Sequence, residues 1–379
     1  MVMLNFVLKG KNMQIPEIMK TLSGQPVKDV ATWETYRRGE LLDLFAEHIY
    51  GVRDIERPEG LYFKLLSEKV EYGMRVKDIR IGFDDFSFPI RLYLPLAAGV
   101  KYPVFVDVMH ERAEDEYVMD GEGNFNSPFD ENTIPFKRIT DRGFAIAAMP
   151  TRYVYPDWKW KGEFKKGVFA AVKNQKGRTR SSWASISAWA WGVSRVIDYL
   201  ETDPDIDATK VASIGHSRAG KTALYAAVTD NRILLSVPNN SGCMGAAVLR
   251  NKKGEHAVDI NISDWFCDRF KDYNDREEML PVDQHMLLAL VAPRYLYVTD
   301  SIEDEWADPD AELLSCRLAS EAYELYGYQG VVVPEKPMVD EVYQEGRIAF
   351  HVKSGDHSQT IFDWENNMDY FEKILKGLV

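Results

Sequence analysis

The spacing of apolar and polar positions changes several times along the chain, and each change marks an element. From Trp33 to Tyr50, the residues Leu41, Leu42, Leu44, Phe45 and Ile49 recur at helical spacing, and Gly51 supplies the stop. Between residues 61 and 95 the period drops to two. Lys77-Asp78-Ile79-Arg80-Ile81 and Ile90-Arg91-Leu92-Tyr93-Leu94 alternate as half-buried strands do, which predicts an antiparallel lead-in to a sheet. From residue 100 onward the pattern becomes short apolar runs at 102–108, 143–149, 210–214, 293–298 and 348–352. Such runs read as strands covered on both faces. Helical patterns over 185–201 and 219–229 lie among them. Strands alternating with helices predict βαβ units, a mainly parallel sheet and a three-layer αβα sandwich. In sheets of that kind ligands bind beyond the carboxyl ends of the strands, so function is sought in the loops that follow them.

Composition narrows the partners. The 379 residues carry 46 Lys+Arg against 59 Asp+Glu, a net charge of −13. That balance argues against nucleic acid or an anionic membrane as the main partner, while leaving room for a local cationic site. With 45% hydrophobic residues the chain can build a large core, which excludes disorder as its dominant state. The length would allow two or three domains, but no repeat or low-complexity linker divides it. The expectation is one α/β domain over 1–379, with 1–60 as a helical extension packed on it. No apolar run is long enough to span a bilayer. The start, Met1 to Phe6, is briefly apolar but lacks a basic leader and is followed by Lys9 and Lys11, a poor signal peptide. The chain is therefore expected to be cytoplasmic, or secreted with its leader removed. Cys243, Cys267 and Cys316 match neither a disulfide framework nor a zinc site and are expected to be free, buried thiols.

The run at 210–214 leads directly into Gly215-His216-Ser217-Arg218-Ala219-Gly220-Lys221, after which a helix begins. This is the strand–turn–helix context of a nucleophile elbow, in which a sharp turn lifts a serine hydroxyl above the sheet. Gly215 and Gly220 would let strand and helix approach closely, and Ala219 takes the place of the usual second glycine. Backbone N–H groups at the helix start would favour developing negative charge. The segment also matches G-x-x-x-x-G-K-[ST] through Gly215, Gly220, Lys221 and Thr222, so a phosphate-binding loop is the rival reading. A serine in an ordinary turn is the plain one.

A serine hydrolase of this architecture needs an acid and then a histidine later in the chain. Of seven histidines, His48 lies in the first helix, His110 follows a strand, His216 adjoins the elbow, His256 and His285 fall mid-chain, and His351 sits inside a strand pattern. His357 lies in the loop after the last strand and is the expected base. The loop after Val298 carries Glu303, Asp304 and Glu305. Asp304 is the first candidate for the acid and Glu303 the second, against the plain reading of a solvated acidic loop. A nucleotide-binding protein has no need of this late acid–histidine pair, and no strand reads as a convincing Walker B segment.

At this point the residues resemble a known family. The heptapeptide from Gly215 is similar to the G-[CH]-S-R-x-G-K motif of glucuronoyl esterases, carbohydrate esterase family 15. The resemblance extends over about 15–375, through Asn239-Asn240-Ser241-Gly242, Trp265-Phe266-Cys267, Leu280-Pro281-Val282-Asp283-Gln284-His285 and Asp304-Glu305-Trp306-Ala307, which look like bacterial members. It implies an α/β-hydrolase fold and a metal-free, cofactor-free esterase cleaving 4-O-methyl-glucuronoyl esters between xylan and lignin alcohols. It implies Ser217 as nucleophile, His357 as base, and Arg218 as oxyanion donor through backbone and guanidinium. Lys221, Trp306 and Gln284 would contact substrate, and the partner would be a small or glucuronoxylan-derived ester met by a monomer. One departure stands out. Many fungal members carry the triad acid as Glu in an E-S-G segment, where this chain has Asn240, so the acid must come from the later loop.

Trp158, Trp160, Trp183, Trp189 and Trp191 cluster in sequence. Those near Tyr153 and Tyr155 suggest an aromatic wall for a sugar or lignin ring, whereas Trp189 and Trp191 read as packing. Lys159, Lys161, Lys165, Lys166 and Lys173 read as a solvated basic stretch. Other functions consistent with these residues are a related carboxylesterase or acetyl xylan esterase, a P-loop nucleotide binder, and a catalytically silent carbohydrate-binding relative.

Overall fold

A computed structural model of the chain describes residues 14–110, 134–157, 164–172, 177–250, 252–261 and 263–379. The segment Met1–Phe6, Trp158, Trp160, Lys159, Lys161 and Lys173 lie outside the described residues.

Among the described residues ten strands form one sheet: β1 (Tyr62–Glu71), β2 (Met74–Phe83), β3 (Phe86–Leu94), β4 (Tyr102–Met109), β5 (Ala145–Pro150), β6 (Ile206–His216), β7 (Ile233–Asn239), β8 (Tyr295–Ser301), β9 (Val342–Tyr343) and β10 (Ile348–Lys353). Their spatial order is β1-β2-β3-β5-β4-β6-β7-β8-β10-β9. Strands from β5 through β10 in that order run parallel, and antiparallel strands close both margins. The expected antiparallel lead-in is β1–β2–β3, with Ile79 opposite Ile90 and Lys77 opposite Leu92.

The continuous apolar runs have the predicted cause, because each strand feeds two cores. Val104, Val106 and Val108 face one layer while Phe105 faces the other. Leu296 and Val298 point one way, and Tyr295 and Tyr297 the other. The first layer is built by the helical run 30–50 and the helices Ser185–Leu200, Arg218–Thr229 and Pro309–Leu325; the second is built around the helix Ile361–Leu375. This is a three-layer α/β-hydrolase architecture. Trp183, Trp189 and Trp191 are buried in the first layer as packing residues, and Lys165 and Lys166 are exposed. The three cysteines are free and buried.

The termini of the elements fix the loops that matter. Gly51, at φ 86, ends the helical run 30–50. The Ile361–Leu375 helix begins in a capping box: Thr360 caps the helix, and Asp363 accepts from the Thr360 N–H at 2.7 Å. Trp364 behind it is fully buried against Phe105. Among the described residues no helix is long and apolar enough to cross a membrane.

Candidate functional site

β6 ends at His216, and the next helix begins at Arg218, leaving a single residue for the turn. Ser217 takes φ 58 and ψ −126, a conformation that costs a non-glycine residue on the order of 1–3 kcal/mol. Its N–H donates to the Asn239 carbonyl on neighbouring β7 at 2.9 Å, which pins the turn. The two flanking glycines permit the approach: a Cβ on Gly215 would lie 2.5 Å from the Ala219 carbonyl oxygen, and one on Gly220 would lie 2.9 Å from the Gly215 oxygen.

That geometry excludes a phosphate cradle. No loop of free N–H groups separates the two glycines, because the chain passes from strand to helix through one residue. Lys221 is buried, with its amino group donating to the Ser241 carbonyl at 2.7 Å and facing Glu255 at 3.5 Å. The Thr222 hydroxyl donates to the Arg218 carbonyl at 3.0 Å. The match to the nucleotide-binding pattern is therefore one of spacing only.

His357 follows β10, and Asp304 follows the adjacent β8. The two meet, with His357 Nδ1 2.5 Å from Asp304 Oδ2. The carboxylate accepts, so Nδ1 carries a proton. Asp304 is buried and held by two more donors, Asn240 Nδ2 at 2.8 Å and the Ala307 N–H at 3.1 Å. Burial pushes its pKa up, but the hydrogen bonds from His357 and Asn240 outweigh this and hold the carboxyl below the usual carboxylate range. Glu303 and Glu305 are exposed.

Ser217 and His357 line one cavity of about 210 Å³, together with Arg218, Lys221, Glu255 and Trp306. That volume is below the roughly 300 Å³ at which drug-sized pockets begin, and suits one sugar-sized ring. Arg218 is aimed by two partners. Its Nη1 donates to Asp157 at 2.5 Å, and its guanidinium lies 4.8 Å from the Trp265 ring centre. Trp265 Nε1 donates to the other oxygen of Asp157 at 2.8 Å. Arg218 Nε is buried and has no partner among the described residues. Trp306 is exposed, and its Nε1 donates to Glu255 at 3.0 Å.

Of the residues expected to contact substrate, Lys221 and Trp306 line this cavity and Gln284 does not. Gln284 is fully buried with Nε2 on the Gly245 carbonyl at 2.7 Å, under the loop that follows β7, so its expected role is corrected to a structural one. Sequence reasoning missed Glu255. It lies in the polar stretch Lys252-Lys253-Gly254-Glu255 without any recognisable pattern, and reaches the cavity because its N–H bonds the Trp306 carbonyl at 3.0 Å. It also missed the aiming role of Asp157 and Trp265.

Comparison with known proteins agrees with this geometry. A family model described as glucuronyl esterase of fungi matches residues 158–327. Carbohydrate esterase MZ0003, from an unknown prokaryotic organism, is 32% identical over 96% of this chain and 90% of its own length. The 4-O-methyl-glucuronoyl methylesterase 1 of Wolfiporia cocos (strain MD-104) is 37% identical over 41% of each chain. The solved structure of a glucuronoyl esterase from Solibacter usitatus superposes with a TM-score of 0.84 at 31% identity, covering 95% of this chain and 97% of that one. With a whole-length relative at that identity and the same fold from end to end, the chain belongs to the glucuronoyl esterases of carbohydrate esterase family 15.

Proposed function

We propose that the chain hydrolyses 4-O-methyl-glucuronoyl esters through an acyl-enzyme on Ser217. The observation that carries the mechanism is the 2.5 Å contact between His357 Nδ1 and Asp304 beside Ser217, in one cavity. His357 Nε2 takes the Ser217 proton as the hydroxyl attacks the ester carbonyl. The oxyanion accepts from the Arg218 N–H at the helix start and from the guanidinium, which Asp157 holds through Nη1. Collapse expels the alcohol, which takes the proton from His357. Water then repeats the sequence and releases the uronic acid. Asp304 holds the productive tautomer and offsets the imidazolium charge. Lys221 and Glu255 supply a donor and an acceptor for sugar hydroxyls, and Trp306 an exposed ring for the sugar face.

The cavity's size favours a uronoyl over an acetyl group, because an acetyl ester would leave most of 210 Å³ unfilled. The continuous ten-stranded sheet supports reading 1–379 as a single unit, and a cavity lined from one chain supports action as a monomer on small or glucuronoxylan-derived esters. In the test, Ser217→Ala should lower kcat on benzyl glucuronate by about 10⁴-fold or more while melting as the parent does. Undiminished turnover by that variant would refute the mechanism. Higher kcat/KM on acetylated xylan than on methyl and benzyl glucuronate would instead favour an acetyl esterase on the same residues.

A further inference from the structure

We infer that His216 is a positioning residue for the proposed base, a neutral imidazole wall against which the His357 ring is held. The inference rests on reading His357 as the base. The observation behind it is a ring contact that the mechanism above does not use: the His216 and His357 ring centres lie 4.5 Å apart, with planes inclined by 50°. His357 is partly exposed, and its side chain is tied to the protein through Nδ1 on Asp304. One hydrogen bond fixes a distance but not the plane of the ring, which can still turn about that bond. A wall against the ring removes this freedom and holds it in one plane. Misplacement of a catalytic group by about 1 Å can cost about 10²-fold in rate.

The hydrogen bonds around His216 fix its tautomer. Asn239 Nδ2 donates to Thr299 Oγ1 at 2.7 Å and to Asp363 Oδ1 at 3.2 Å, so Asn239 Oδ1 must accept. That oxygen lies 2.6 Å from His216 Nδ1, which therefore carries the proton. His216 Nε2 is left as a buried lone pair with no partner among the described residues. Protonating it would bury an unpaired cation.

The charged and titratable groups around it act in both directions. His357 and Lys353 oppose a positive charge on His216, and Asp363 favours one; His110 stacks 6.0 Å away on a further side. Burial first, and then the nearness of His357, push the His216 pKa down to about 3, so the ring stays neutral while the base cycles. Neutrality matters because the imidazolium of His357 forms in both half-reactions. A second positive charge at this separation, at an effective dielectric near 20, would disfavour it by on the order of 10²–10³-fold.

Long-range ¹H–¹⁵N spectra of enzyme labelled at histidine nitrogens should show His216, assigned by its loss in His216→Phe, as a neutral Nδ1–H tautomer from about pH 5 to 8. A doubly protonated ring or an Nε2–H tautomer in that range would overturn the inference, whatever the ester substrate proves to be. In kinetics, His216→Ala should lower kcat about 10–10²-fold with KM within about threefold, and His216→Phe, which rebuilds the wall, should keep kcat within about threefold of the parent. An alanine variant as fast as the parent, or a phenylalanine variant as slow as the alanine one, would also overturn it. The Ser217→Ala assay fails separately if the esterase reading is wrong, and the tautomer measurement does not depend on it.

Discussion

Replacing Asp304 by asparagine tests the assignment of the acid. Both Asp304 oxygens are acceptors: Oδ2 takes His357 Nδ1 and Asn240 Nδ2, and Oδ1 takes the Ala307 N–H. An amide has one oxygen and one NH₂ group, so either orientation sets donor against donor. With the NH₂ group toward His357, it opposes Asn240 and forces the imidazole into the Nε2–H tautomer, which cannot accept the Ser217 proton. With the NH₂ group toward Ala307, the histidine keeps its acceptor but loses the negative charge that offsets the imidazolium. The first case belongs with losses of about 10⁴-fold and the second with milder ones, so Asp304→Asn should reduce kcat by about 10²–10⁴-fold. Glu303→Gln should stay within about twofold, because Glu303 is exposed and it ties the loop through its backbone N–H, on the Gly355 carbonyl at 3.1 Å, which the substitution keeps. Initial rates on benzyl glucuronate under saturating substrate would measure both, with thermal melting to confirm folding. An Asp304→Asn enzyme within threefold of the parent, alongside an inactive Ser217→Ala, would refute the acid assignment.

Three further outcomes follow from the same geometry. Asp157→Asn removes the charged anchor that aims Arg218 over Trp265, and should lower kcat by about 10–10²-fold, less than the loss of an oxyanion donor itself, with KM little changed in steady-state assays. Lys221→Met leaves Glu255 without its buried cation; KM for methyl glucuronate should rise about tenfold or more, while hydrolysis of p-nitrophenyl acetate, which does not fill the sugar site, should change little. Glu312 is buried with Oε1 on Ser241 Oγ and the Gly242 N–H, and burial pushes its pKa up to about 8. The unfolded chain ionises this group near 4.5 and the folded chain only near 8, so the group contributes a loss of stability as pH rises between those values. Glu312→Gln, an uncharged stand-in for the protonated acid, should flatten the fall in melting temperature between pH 5 and 8; an unchanged slope would count against this account.

The elements most legible in the sequence were those with a single, uninterrupted pattern. The runs that became β4, β5, β8 and β10 were visible because burial on both faces removes polar residues from a strand. β7 was not marked by its pattern. Ser236 and Pro238 interrupt the run Ile233–Asn239, and proline usually argues against a central strand. Here Pro238 sits near the carboxyl end, opposite Gly215, at the point where the sheet gives way to the site. The elbow could be read because a positive φ at Ser217 demands small neighbours, and small neighbours are visible as letters. Glu255 could not, because its place depends on a backbone bond to Trp306, about fifty positions away. Gln284 misled because one sequence pattern serves both a buried amide that satisfies a loop carbonyl and an amide that meets a ligand. Burial separates the two, and burial is a property of the packed layers.

On the proposed assignment of Asp304 and His357 as acid and base, the pairing of Asn240 with Asp304 explains how the acid of a triad can change strand ends while the base stays in place. Asn240 follows β7 and Asp304 follows β8, yet both reach the same point: Asp304 Oδ2 lies 2.8 Å from Asn240 Nδ2 and 2.5 Å from His357 Nδ1. A carboxylate at position 240 would set two like charges within hydrogen-bond distance, and one would have to be protonated. An amide there is a donor, and it strengthens the carboxylate that remains. Its Nδ2 also lies 2.7 Å from Asp300 Oδ1, and burial, followed by the nearness of Glu312 and Asp304, holds Asp300 well above the usual carboxylate range. Burial likewise pushes the Glu312 pKa up to about 8. Burial thus disfavours ionisation of Asp300 and Glu312, while hydrogen bonds favour it on Asp304, the residue that touches His357. Asparagine at position 240 is then the electrostatic counterpart of a carboxylate placed on the next strand, because it supplies a donor to Asp304 where a second acid would repel it.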